Sequence, residues 1–182
     1  MIGKTLHIND LVDRCRKGEV NAQFMLYKQY SRAMYNIAIR FLNNKMDAED
    51  ILQESFITAF EKLDELADHS AFGSWLKRIV INNCITHLRK SKFDFENIDD
   101  HPVSADLAEE DTEITIDPAV VHDHIRRLPE GGRTVLVLYA LEGYKHREIA
   151  GMLGISESTC KSQYRRALGL LNKELKQRIY VT

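Results

Sequence analysis

The sequence predicts an all-α fold: two small helical domains joined by an acidic, flexible linker. Three observations lead there. Glycine and proline are few, 9 and 3 in 182 residues, and no run alternates apolar and polar residues as a half-buried strand would. Apolar residues instead recur at three- and four-residue steps in several separate segments. Between two such sets, Asp94 to Asp123 holds 11 acidic residues and no Lys or Arg, a composition too polar to bury a core and suited to a tether.

The elements follow in order. A short helix is expected from Asp10 to Lys17, stopping at Gly18. A long one runs from about Asn21 to Leu42, its apolar positions being Phe24, Met25, Tyr27, Tyr30, Met34, Ile37, Ala38 and Phe41. Asp47 is the expected cap of a third, in which Ile51, Leu52, Ser55, Phe56 and Ala59 form the apolar face while Asp50, Gln53 and Glu54 point elsewhere. A fourth, from about Ser70 to Lys90, carries Phe72, Trp75, Leu76, Ile79, Val80 and Ile85. These four make a first domain over residues 1–92, and the acidic linker spans 93–117. The pair Asp117-Pro118 then reads as a cap followed by a proline in the first turn. Helices near 118–127, 131–142, 145–152 and 156–177 complete a second domain, 118–182.

The last two form a hairpin with a recognisable plan. In "REIAGMLGISESTCKSQYRRALGLL", Gly154 supplies the permissive backbone of a sharp stop, and Ser156 can accept from an unpaired amide of the next helix's first turn. Close packing of two such helices needs a small residue inside, such as Ala150, with Ile155 and Cys160 also facing inward. The outer side of the second helix would then carry Ser158, Lys161, Ser162, Gln163, Arg165 and Arg166, side chains able to reach phosphates and base edges.

Composition limits the alternatives. The hydrophobic fraction of 44% suffices for packed cores, no apolar run is long enough to span a membrane, and the first residues lack a signal peptide's continuous apolar segment. The expected location is cytoplasmic. Cys15, Cys84 and Cys160 are odd in number and far apart, so neither a disulfide framework nor a zinc site is suggested. The net charge of −2 would argue against a nucleic-acid binder, yet outside the acidic segment 25 basic residues stand against 16 acidic ones. A basic pair of domains around an acidic tether makes nucleic-acid binding permissible. No phosphate-cradling glycine loop, HExxH helix or nucleophile elbow occurs, and His122 and His124 are two apart, on different faces of a helix. The expectation is therefore no catalytic residues, no metal, no cofactor and no small-molecule substrate.

Two stretches of the first domain carry more information. In "DAEDILQESF", Asp50, Gln53 and Glu54 share one polar, acidic helix face. In "FGSWLKRIVINNCITHLRK", Trp75 stands among Lys77, Arg78, Asn82, Asn83, Arg89 and Lys90. Aromatic, amide and cationic groups together suit single-stranded DNA, whose unstacked bases need a flat partner and whose edges need donors and acceptors. Trp75 is also spaced as part of a core stripe with Phe72 and Ile79, and both readings stay open.

Taken in order, these segments resemble an RNA polymerase sigma factor of the extracytoplasmic-function (ECF) group. "DAEDILQESF" is similar to the part of region 2 that docks on the polymerase. "FGSWLKRIVINNCITHLRK" resembles the part that melts promoters and reads the minus-ten element, and "LPEGGRTVLVLYALEGYKHREIAGMLGISESTCKSQYRRAL" resembles region 4, which reads the minus-thirty-five element. The resemblance implies that Asp50, Gln53 and Glu54 contact core RNA polymerase with Phe56 packing beneath. It places Asn82, Arg89 and Trp75 on the minus-ten segment, to which the composition adds Arg78, Asn83 and Lys90. Lys161, Ser162, Arg165 and Arg166 fall on the recognition helix. Many relatives have Asp at Thr86, Arg at Gln163 and a basic residue at Leu168. Since Gln can pair with adenine where Arg favours guanine, Gln163 is expected to alter promoter preference, and Leu168 to exchange a phosphate contact for packing. The implied partners are core RNA polymerase and promoter DNA, and members of this group are commonly held inactive by an anti-sigma factor, often membrane-bound. The alternative is a conventional dimeric helix-turn-helix regulator with a helical interaction domain in front.

Overall fold

The computed structural model describes residues 7–90 and 118–179, and every element among them is helical. The chain divides into two compact units, the break falling between Leu88 and Arg89. The acidic linker and Asp117 lie outside the described residues.

The first unit begins with α1 (Ile8–Arg16), which buries Leu11, Val12 and Cys15 and is stopped by Gly18 at φ +79. Helix α2 (Val20–Leu42) follows, ended by Asn43 in the left-handed region, φ 52. Helix α3 (Lys45–Glu61) is capped by Asn44, whose Oδ1 accepts from the amides of Met46 at 2.9 Å and Asp47 at 3.5 Å. Asp47 is thus inside the first turn rather than the cap: the left-handed turn at Asn43 delivers the next side chain to the free amides, and Asp47 arrives three residues too late.

Helix α4 (Phe72–Lys90) is led in by a short 3₁₀ turn, His69–Ala71. Asp68 starts that turn by accepting from the amide and hydroxyl of Ser70. Tyr27 meets Phe56 at 4.8 Å between ring centres, while Ser55 bonds Asn83 and Asp47 lies 3.7 Å from His87. The two α3–α4 pairings run in opposite chain directions, so α3 is antiparallel to α4. Tyr27 near the start of α2 meets Phe56 near the end of α3 across the turn at Asn43 and Asn44, so α3 is antiparallel to α2 as well. The amino end of α4 also reaches α2, where Tyr30 packs edge-on against Phe72 and a Cβ on Gly73 would lie 2.8 Å from the Tyr30 ring. Phe41, Phe72, Leu26, Leu76, Val80 and Ile81 are fully enclosed. Arg16 ties α1 below by donating to the carbonyls of Leu63 and Leu66.

The inward line of α2 differs from the expected one. Ala22, Leu26, Met34, Ile37, Ala38 and Phe41 are buried, whereas Phe24 is 64% exposed and Met25 and Tyr27 are exposed as well. The core follows the line through Ala22 and Leu26, and the larger side chains beside it are left outside.

The second unit holds α5 (Pro118–Arg127), α6 (Glu130–Leu136), α7 (His146–Leu153) and α8 (Glu157–Ile179). The α6 helix widens into a π-helical turn, Val137–Leu141, so the single helix expected over 131–142 changes pitch near its end. Such turns re-aim side chains, and here Tyr139 emerges while Val137 and Leu138 stay buried. Arg133, buried on α6, donates to the Leu128 carbonyl at 2.9 Å and the Arg126 carbonyl at 3.5 Å, closing the carboxyl end of α5. A Cβ on Gly132 would come within 3.2 Å of the Ala167 Cβ of α8, so α6 and α8 approach closely here and a side chain at this position would need Ala167 to give by a few tenths of an ångström.

Candidate nucleic-acid and protein interfaces

On α3 the two faces separate as the spacing requires. Ile51, Leu52, Ser55, Phe56 and Ala59 are buried, and Asp50, Gln53 and Glu54 are exposed on the other side. Phe56 packs against Tyr27 and Phe60, so it braces the helix that carries the acidic face. Sequence reasoning missed an apolar fringe beside that face: Ile57, one turn beyond Gln53 and Glu54, is 58% exposed. Its spacing, four residues after Gln53 and three after Glu54, already puts it on this face, and only its apolar character, which on an amphipathic helix ordinarily faces inward, pointed the other way.

On α4, Arg78, Asn82, Thr86 and Arg89 are exposed, and with half-buried Trp75 they follow one another at steps of three and four residues. That spacing is one continuous outward stripe. Lys90 is exposed at its end. Trp75 lies 6.1 Å from Phe72, so its ring leans on the core edge while keeping part of its surface in solvent. Asn83 departs from the expected set. Its Nδ2 donates to Ser55 Oγ at 3.0 Å, and that hydroxyl donates to the Ile51 carbonyl at 2.6 Å. The amide holds α4 to α3 and faces away from the stripe.

In the second unit, Gly154 at φ +72 ends α7, its amide and that of Ile155 both donating to the Ala150 carbonyl. Ser156 then caps α8, accepting from the amide of Thr159 at 3.0 Å. Ala150 and Cys160 are buried at the crossing. The outer face of α8 shows Ser158, Lys161, Ser162 and Arg165, with Arg166 half-buried. Lys161 pairs with Glu157 one turn back, Nζ to Oε1 at 2.6 Å, and this holds the Glu157 carboxyl below its ordinary range.

Gln163 is corrected outright. It is only 3% exposed, on the same inward line as Cys160, Ala167 and Leu171. A side chain enclosed there cannot reach a base edge, so the adenine contact expected of it is withdrawn. Leu168 is half-buried, in keeping with packing. A group that sequence reasoning did not find adjoins the outer face of α8: Tyr139, His146 and Tyr164 form a ring cluster. The three residues are far apart in sequence, and only the π turn brings Tyr139 to the other two.

Comparison with known proteins bears on both units. Residues 26–93 match the family model for sigma-70 region 2, and residues 120–171 match that for sigma-70 region 4. The chain belongs to the sigma-70 family. It is 32% identical over 177 residues to the RNA polymerase sigma-H factor of Pseudomonas aeruginosa, covering 91% of this chain and 92% of that one. It is 31% identical over 162 residues to the ECF RNA polymerase sigma factor SigM of Mycobacterium tuberculosis, covering 87% and 79%. The sigma factor RpoE of Bartonella quintana, solved with the anti-sigma factor NepR, shares the fold at TM-score 0.52 and 22% identity, covering 84% of this chain and 95% of that one.

These matches identify an RNA polymerase sigma factor of the ECF group, a transcription initiation factor whose partners are core RNA polymerase and promoter DNA. The dimeric regulator is not favoured, because the front half matches a sigma region as well as the back half. Among the described residues no helix is long and apolar enough to cross a membrane, and no three His, Cys, Asp or Glu side chains gather as metal ligands.

Proposed function

We propose a division of labour among three outward helix faces. Asp50, Gln53 and Glu54 of α3 dock on core RNA polymerase. The α4 stripe of Trp75, Arg78, Asn82 and Arg89, with Lys90 at its end, holds the opened minus-ten strand, the ring offering a stacking surface and the others donors and charge. Ser158, Lys161, Ser162 and Arg165 of α8 enter the major groove of the minus-thirty-five element, Arg166 following the backbone at the rim. The domains are 1–92 and 118–182, and the 93–117 segment lets them reach separated promoter elements.

One observation supports this reading most. Each face is polar and exposed while the opposite face of the same helix is buried, so all three can be occupied without unfolding anything. The chain needs no catalysis of its own for this work, and it acts in the cytoplasm where polymerase and promoter are. An anti-sigma factor is a further proposed partner, on the example of the Bartonella protein solved with NepR.

The docking face is tested by Asp50→Arg. The variant should melt like the parent, since Asp50 is exposed, and should no longer co-purify with core polymerase. Unchanged co-purification would remove α3 from the interface.

A further inference from the structure

The ring cluster on the second unit is built around a histidine whose hydrogen-bonding is set from inside. His146, the first residue of α7, is half-buried. Tyr139 stacks on it with centres 4.2 Å apart and planes 7° from parallel, and Tyr164 meets it edge-on at 5.4 Å. These contacts fix the plane of the imidazole. Its Nδ1 lies 3.5 Å from Cys160 Sγ. Cys160 is enclosed, and burial pushes its thiol up to about 11, so the sulfur keeps its hydrogen at neutral pH. We assign the thiol as the donor of this pair, which makes Nδ1 the acceptor. A neutral imidazole accepting at Nδ1 carries its hydrogen on Nε2. Among the described residues the ring's hydrogen bond is at Nδ1, and Nε2 is not one of the enclosed unpartnered atoms, which leaves one oriented N–H donor on the exposed side of the half-buried ring.

The charges around it say what that donor would meet. From α8, Lys161 and Arg165 act on the imidazole as like charges and Glu157 as an opposite one; from the π turn and α8, the groups in contact are the two tyrosines and the protonated thiol. Burial and the two cations together hold the imidazole below its ordinary range, so it is a neutral donor beside two fixed positive charges. The acceptor that such a surface attracts is an anionic oxygen.

We propose that His146 is a further promoter contact, its Nε2–H donating to a backbone phosphate of the duplex next to the phosphates met by Lys161 and Arg165. This rests on the duplex-reading role proposed for α8 and extends that surface onto α7 and the π turn. Cys160 and Tyr139 are positioning residues for the contact. A nearby phosphate favours the imidazolium, in which Nδ1 gains the proton and turns from acceptor to donor toward the Cys160 sulfur, so DNA binding is coupled to proton uptake. Affinity rises as pH falls through the imidazole's bound pKa and levels off below its free one.

The test uses holoenzyme assembled from the full chain and core polymerase, with a promoter duplex it transcribes, titrated at several pH and salt values. His146→Phe preserves the ring stack and removes the donor. It should bind about three- to tenfold more weakly, the worth of one hydrogen bond, with no pH dependence from this site. At pH 8, where the parent's imidazole is neutral, the salt slope should be unchanged, because a neutral donor releases no counterion. His146→Gln restores an N–H without a titrating group. It should recover most of the affinity at pH 8 while staying flat with pH. Equal melting temperatures would show that each variant is folded. Parental affinity and pH dependence in His146→Phe would overturn the assignment while leaving the α8 role standing. Binding insensitive to Lys161→Ala and Arg165→Ala would overturn both.

Discussion

The double variant Lys161→Ala with Arg165→Ala gives the α8 assignment a numerical test. These two cations are exposed one helical turn apart, so they can face successive phosphates along one groove wall. Each phosphate neutralised by a free cation contributes about 0.9 to the slope of log affinity against log salt. Arg165 should contribute the full amount. Lys161 is already paired with Glu157 at 2.6 Å, so part of its counterion release is lost before DNA arrives. The slope should therefore become shallower by between about 0.9 and 1.8. Over a fourfold rise in salt, the parent should lose about 3- to 12-fold more affinity than the variant. Fluorescence anisotropy of labelled promoter with holoenzyme reads this directly, as a difference between two lines. Parallel lines would refute the reasoning, since the cations would then be making no phosphate contacts whatever their effect on affinity.

Three further outcomes follow from the scaffold. Arg133→Met removes the donor that closes α5 and should destabilise the second unit by about 1–3 kcal/mol, the cost of a buried carbonyl left unpaired; urea unfolding followed by far-UV circular dichroism measures it. The Asp68 carboxyl is held below its ordinary range by the hydroxyl and amide of Ser70, so its cap is intact above the ordinary carboxylate range and is lost as pH falls through the depressed value. The melting temperature of Asp68→Ala should lie below the parent's at neutral pH and converge with it in acid. Burial pushes Cys15 and Cys160 up to about 11 and Cys84 to about 12. None of the three should react promptly with a thiol reagent in the native protein at pH 8, and all should react in denaturant.

What could be read from the sequence was whatever depended on periodicity and local hydrogen bonding. The Ser156 cap, the Gly154 stop and the split faces of α3 are of that kind, because a few neighbouring residues determine them. What could not be read depended on the partner across a packing interface. Gln163 sits three residues after Cys160 and four before Ala167, so its position was legible as inward. Its polarity suggested otherwise, and only the close approach of α6 at Gly132 shows that the site is enclosed. Asn83 looked like one more amide for DNA until Ser55 of α3 was found opposite it. The same holds for Phe24, whose three- and four-residue spacing with other apolar residues suggested core although α2 packs along Ala22 and Leu26. The π turn that presents Tyr139 has no sequence signal of its own, so the cluster around His146 was invisible before the fold was known.

In vitro transcription with purified core polymerase, the full chain and genomic templates tests the central claim most directly. The account predicts initiation at a limited set of shared-motif promoters, dependent on this chain and abolished by Asp50→Arg. Start sites that do not change when the chain is added would contradict it.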